Sequence, residues 1–110
     1  SKMERFDELL EKLNAEKITQ TDIEWDENIP DSIWEEYFES APCKVVDEGN
    51  SVEKHRWYEI STTTVEIYGR LLGIRLITNI FSEEMDVEDC YHTLDFFEMK
   101  EKTITSYEKI

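Results

Sequence analysis

HRWYEISTTTVEIYGRLLGIRLITNIF, residues 55–81, is the stretch whose reading decides the fold. Over residues 55–68, Tyr58, Ile60, Thr62 and Thr64 alternate with Trp57, Val65 and Ile67. That is a run of β-branched and aromatic side chains with the period of a strand. Gly69 then marks a tight turn. Residues 70–81 resume the alternation with Leu72, Ile74, Leu76 and Ile80, so the two runs predict an antiparallel hairpin. Gly73, inside the second run, predicts a bulge or bend.

Upstream, residues 43–48 extend the same period as a further strand, and Glu48-Gly49-Asn50-Ser51 reads as a turn. Before Pro42 the period lengthens. Ile33, Trp34, Tyr37, Phe38 and Ala41 form one face of a helix over residues 31–41. Asp31 or Ser32 is placed to cap it, Ser32 with Glu35 has capping-box spacing, and Pro42 ends it. Residues 17–29 lack a clear period and read as a connector anchored by Trp25. Residues 2–15 form an amphipathic helix, with Met3, Phe6, Leu9, Leu10 and Leu13 on one face. Downstream, residues 82–91 are an acidic connector with room for one helical turn. Residues 93–102 and 103–109 supply the last strand pairing. The prediction is a single α+β domain, residues 1–110, with two N-terminal helices packed on a four- to five-stranded antiparallel meander sheet. Phe6, Leu10, Trp34 and Phe38 form the contact, and the other sheet face is left open.

Charge is distributed very unevenly along the chain. The formal net charge is −15, and two stretches without Lys or Arg account for all of it. Residues 18–43 carry Asp22, Glu24, Asp26, Glu27, Asp31, Glu35, Glu36 and Glu39. Residues 76–99 carry Glu83, Glu84, Asp86, Glu88, Asp89, Asp95 and Glu98. Acids and bases balance in the remainder. Solubility is served by mixed signs, whereas an unmixed field costs stability through self-repulsion. The segregation therefore predicts a positively charged partner. The candidate partner-binding residues are the eight acids of the first stretch together with Glu83, Glu84, Asp86, Glu88 and Asp89.

No cofactor or metal is expected from the pattern. An EF-hand loop begun at Asp86 puts Tyr91 where Gly belongs, and one begun at Asp22 puts Ile33 at the final ligand position. Cys43, His55, Cys90 and His92 are the whole Cys and His complement and lack zinc-finger spacing. Carboxylates around Cys90 and His92 disfavour a reactive thiolate. No nucleophile elbow, phosphate-binding glycine loop or His-Glu-x-x-His motif is present, so the reading is non-enzymatic. Direct nucleic-acid binding fails on sign, because phosphate needs clustered bases. Trp57 and Tyr58 read as core aromatics. Two unpatterned cysteines predict free thiols in a cytoplasmic protein, and no apolar run approaches membrane-span length.

Residues 54–81, KHRWYEISTTTVEIYGRLLGIRLITNIF, resemble in strand pattern the small acidic proteins of unassigned function encoded by bacteriophages and mobile elements. Such proteins commonly act as stoichiometric inhibitors of host nucleic-acid enzymes or defence systems, and that role is what the resemblance implies. It carries no site residues with it. The functional expectation is an acidic binding protein that mimics nucleic acid and occupies the basic cleft of a nucleic-acid-binding protein. Helical acids can match duplex charge density, since DNA presents one charge per about 1.7 Å and a helix rises about 1.5 Å per residue. The alternative is a structural or regulatory interaction module, a homodimer through an open sheet face built from Leu72, Ile74, Leu76, Phe96 and Phe97.

Overall fold

The computed structural model describes residues 1–103 and 106–110. Helix α1 covers Lys2–Ala15 and buries Phe6, Leu9 and Leu13 completely. Full burial of each such side chain contributes about 1.5–3 kcal/mol. Five antiparallel strands follow: β1, Cys43–Lys54; β2, Tyr58–Ile67; β3, Arg70–Ile80; β4, Asp95–Thr103; and β5, Ser106–Lys109. They lie in sequential order in one sheet. The α+β class is therefore as the sequence predicts, and so are the bounds of the first helix. The strand expected over residues 103–109 lies partly outside the described residues.

The second helix departs from expectation. It is a single α turn, α2, Asp31–Ile33, continued by a π-helical turn, Trp34–Phe38. No side chain caps it, and Pro30 takes the position assigned to Asp31 or Ser32. The fold is thus one full helix and a short irregular turn, not two packed helices, on a curled five-stranded antiparallel sheet. The aromatics supply the reason. Ile33, Tyr37 and Phe38 are all buried, and Trp34 stacks on Phe38 at 5.0 Å and 12°. The wider π winding, closed by Glu39 N–H donating to the Trp34 carbonyl at 2.9 Å, turns these side chains inward together.

The turn predicted at residues 48–51 is also corrected. Gly49 and Ser51 do have positive φ, but β1 runs through them with three register shifts, and Asn50 still pairs with Thr62. These residues bulge the strand without reversing it. The reversal into β2 comes later, at residues 55–57, where His55 N–H donates to the Tyr58 carbonyl at 2.8 Å. The reversal from β2 to β3 falls at Tyr68-Gly69 as predicted, where both φ values are positive and Ile67 faces Arg70. This is the two-residue hairpin loop whose twist suits antiparallel strands. Tyr68, a costly residue there, is held by its hydroxyl donating to the Tyr37 carbonyl at 2.7 Å. Gly73 is neither bulge nor bend: a Cβ there would lie 2.5 Å from Phe97 Cε2, so glycine makes room for the aromatic ring crossing from β4.

Bulges give the sheet its curl, and curl closes the face expected to be open. Asn50 Nδ2 on β1 donates to the Tyr107 carbonyl on β5 at 2.7 Å. Arg75 reaches across the same face to the Ser51 carbonyl at 2.9 Å, Thr62 Oγ1 at 3.3 Å and Glu53 Oε2 at 3.2 Å. Thr62, Thr64 and Met99 are buried there. The opposite face carries Val65, Ile67, Leu72, Ile74, Leu76 and Phe96 beneath α1 and the π turn. Leu72, Ile74, Leu76 and Phe96 are therefore core residues and not an open face, whereas Phe97 is half-buried on the other side of the sheet.

Candidate functional site

The acidic stretch at residues 21–28 is shaped by one buried side chain, Asn28. Its Oδ1 accepts from the backbone N–H groups of Thr21 at 2.8 Å and Asp22 at 3.0 Å. Its Nδ2 donates to the carbonyls of Asp22 and Glu24, both at 2.9 Å. With its backbone polar groups satisfied inward, the loop turns Glu24, Asp26 and Glu27 out to solvent; Asp22 is half-buried, its carboxylate accepting from Glu24 N–H at 2.8 Å. Trp25 points the other way and meets Trp34 at 5.9 Å and Phe38 at 5.7 Å. This aromatic cluster ties the loop to the π turn. Asp26 and Glu27 of the loop and Asp31, Glu35 and Glu39 of the turn are all exposed around it.

Glu36 belongs to the same turn but plays a different part. It lies 3.7 Å from Arg5 and 3.4 Å from Lys12 on α1, so its charge is compensated within the fold. Among the described residues the other twelve candidate acids make no ion pair. Arg70 and Arg75 are engaged on acids outside that set. Arg70 grips Glu98 through two bonds of 2.6 and 2.8 Å and also reaches Asp7 at 3.1 Å. The Glu98 carboxylate holds its guanidinium more firmly protonated still. Arg75 is held by Glu53.

In the second stretch, Asp89 Oδ2 accepts from Asp86 N–H at 3.0 Å and organises the 3₁₀ turn Val87–Cys90. Val87 packs inward on Ile60 and Ile77, with Cys90 against the same cluster, while Glu83, Glu84, Asp86, Glu88 and Asp89 remain exposed. The two acidic stretches meet. Thr19 bridges Thr93, Gln20 N–H donates to the His92 carbonyl at 2.8 Å and Leu94 N–H to the Ile18 carbonyl at 2.9 Å. Gln20, fully buried, also exchanges two bonds of 2.8 Å with the backbone of Ile77. Its amide acts as a one-residue strand where β4 no longer covers β3.

Both cysteines are free and half-buried. Burial pushes the Cys43 thiol up, with Asp26 adding to it; burial and then Asp89 do the same at Cys90. Trp57 is not a core residue: it stands half exposed with the Arg56 guanidinium 4.6 Å above its ring. Among the described residues no three His, Cys, Asp or Glu side chains gather as a metal site, and no helix is long and apolar enough to cross a membrane.

Beside the loop lies a cleft of about 350 Å³, bounded by Ile23, Glu24 and Trp25, by Glu48, Gly49 and Val52 of β1, and by Glu59 of β2. Ser61, Thr63, Leu76 and Thr78 also line it. Charge counting along the chain misses Glu48 and Glu59, since nearby bases cancel them in the tally. The signal that could have found Glu59 is its alternation with Ser61 and Thr63.

Comparisons with protein-family models, with curated proteins and with solved structures find no match.

Proposed function

We propose that this chain is a non-enzymatic acidic binding protein that mimics nucleic acid and occupies the basic cleft of a nucleic-acid-binding protein. A host defence nuclease is the type of target that the phage-like strand pattern suggests. The observation that carries the reading is the division of charge. Among the described residues twelve of the thirteen candidate acids make no ion pair, and all of these but the half-buried Asp22 are exposed, while Arg70, Arg75 and Lys100 pair with acids outside that set. A surface kept solely for solubility needs no such exclusion of Lys and Arg. Carboxylates presented this way resemble a row of phosphates, and a cleft evolved for phosphate would bind them quickly, steered by charge.

Asp26→Asn, Glu35→Gln and Glu39→Gln combined test the reading without touching the ion-paired Glu36. The partner is isolated by pull-down from the source cell with the wild-type chain, identified by mass spectrometry and purified. At about 1 kcal/mol per desolvated charge contact, the triple variant should lose roughly 3 kcal/mol of affinity. Affinity of the wild type should fall steeply with ionic strength, and added DNA or RNA should compete. Equal binding by the variant at low salt, with no competition by nucleic acid, would sink the proposal.

A further inference from the structure

We infer that the aromatic tip where β1 turns into β2, Trp57 beside Phe81, is a self-association surface that receives the same tip of a second copy of this chain. Trp57 and Phe81 are 45% and 50% exposed. One step beyond the Tyr58–Ile80 pair of β2 and β3 they stand opposite each other, with Phe81 N–H donating to the Trp57 carbonyl at 2.7 Å. Opposite residues of antiparallel strands share a face, so the rings form one patch and not two scattered side chains. The tip is also held in shape. The His55 ring stacks on Tyr58 at 4.7 Å and 17°, and Tyr58 and Ile80 pack on Ile60, Ile77 and Val87 beneath. A preformed patch loses little freedom on binding.

The charges beside the patch select what covers it. Next to Trp57 are Lys54 and Arg56, both exposed and, among the described residues, without an ion pair. The Arg56 guanidinium lies 4.6 Å above the Trp57 ring. Shortly after Phe81 come Glu83 and Glu84, exposed and likewise unpaired, with Glu84 N–H donating to Ser82 Oγ at 3.3 Å. A nucleic-acid strand would meet these two carboxylates and a net charge of −15, and a basic protein would meet Lys54 and Arg56. A second copy suits both signs. A two-fold contact is self-complementary, so turning one tip onto another sets Lys54 and Arg56 of each copy against Glu83 and Glu84 of the other, around a shared aromatic centre. Trp and Arg are the side chains that most often dominate such contacts. The patch is small and the copies repel at long range, so the dimer is weak, with a dissociation constant of about 0.1–1 mM.

The test follows the full ¹⁵N-labelled chain by sedimentation equilibrium and amide shifts, in a dilution series reaching about 1 mM. Salt is set at about 0.15 M, where a Debye length of about 8 Å screens distant charges. The mass should climb towards a dimer with concentration, and the shifts should be confined to residues 54–58 and 80–84. Trp57→Ala, at an exposed position, should weaken association about tenfold or more. Two charge-swapped chains complete the test, one with Lys54→Glu and Arg56→Glu, the other with Glu83→Lys and Glu84→Lys. Each should stay monomeric alone, with a folded circular dichroism spectrum, and the two should associate when mixed. Their charge changes cancel, so the mixed pair carries the wild-type total. A wild-type chain that stays monomeric throughout, association indifferent to Trp57→Ala, or swapped chains that gain nothing from mixing would each overturn the inference. Shifts of the same residues by oligothymidylate or by oligolysine, with the chain still monomeric, would assign the tip to that ligand and overturn the dimer as well.

Discussion

At Asn28 four backbone groups of the acidic loop depend on one side-chain amide. Truncation to Ala strands them in a buried setting, where each unsatisfied group costs about 1–3 kcal/mol, partly relieved by water. Asn28→Ala should therefore lower stability by roughly 2 kcal/mol or more in urea denaturation. Gly73 makes the opposite demand, for emptiness. Gly73→Ala should cost about 1–3 kcal/mol through overpacking against Phe97, and pairing it with Phe97→Leu should recover part of the loss. Additive losses in that double-mutant cycle would show that the ring is not the obstacle. The thiols give a third expectation. With both raised above the ordinary cysteine range by burial and a nearby carboxylate, less thiolate is present at neutral pH. Cys43 and Cys90 should react with iodoacetamide more slowly than free cysteine. Both should titrate as free thiols after denaturation.

Individual elements are joined to the sheet by a few polar contacts. Arg70 binds Glu98 on β4, Asp7 and the Met3 carbonyl on α1, and its guanidinium lies 4.4 Å above the Phe6 ring. It fastens the start of the helix to two strands. Gln20 performs the same service for the acidic loop by completing the edge of β3 at Ile77. Gln20→Leu preserves volume but removes both bonds, leaving the Ile77 N–H and C=O unpaired. We expect a loss of roughly 2–4 kcal/mol and faster hydrogen exchange at Ile77 than at Leu72, which β4 still covers. Unchanged protection at Ile77 would show that β3 holds its edge without the glutamine.

For the molecule as a whole, the uncompensated acids are a source of repulsion that binding to a basic partner would relieve. Adding salt, or neutralising Asp26, Glu35 and Glu39, should raise stability by about 1 kcal/mol, roughly 4 °C in Tm for a domain of this size. A melting temperature indifferent to ionic strength would mean that the charges sit too far apart to interact. Local sequence was sufficient for the α+β class, for α1 and for the hairpin. The periods 3.6 and 2 in those runs match the faces they bury, and Gly69 lies where a positive φ is needed. It also sufficed to assign charge to two stretches, because charge is a property of composition. Other features required the tertiary structure. The π turn exists because Trp34 stacks on Phe38 and both pack against Trp25 of the preceding loop. Strand β1 bulges instead of turning because Asn50 finds partners on β2 and β5, and the sheet curls shut through Arg75. The meeting of the two acidic stretches, and of Glu24 with Glu48 and Glu59, depends on backbone pairing and packing between residues far apart in the chain. Periodicity reports only which face of an element is apolar. It does not specify which distant residues that face will meet.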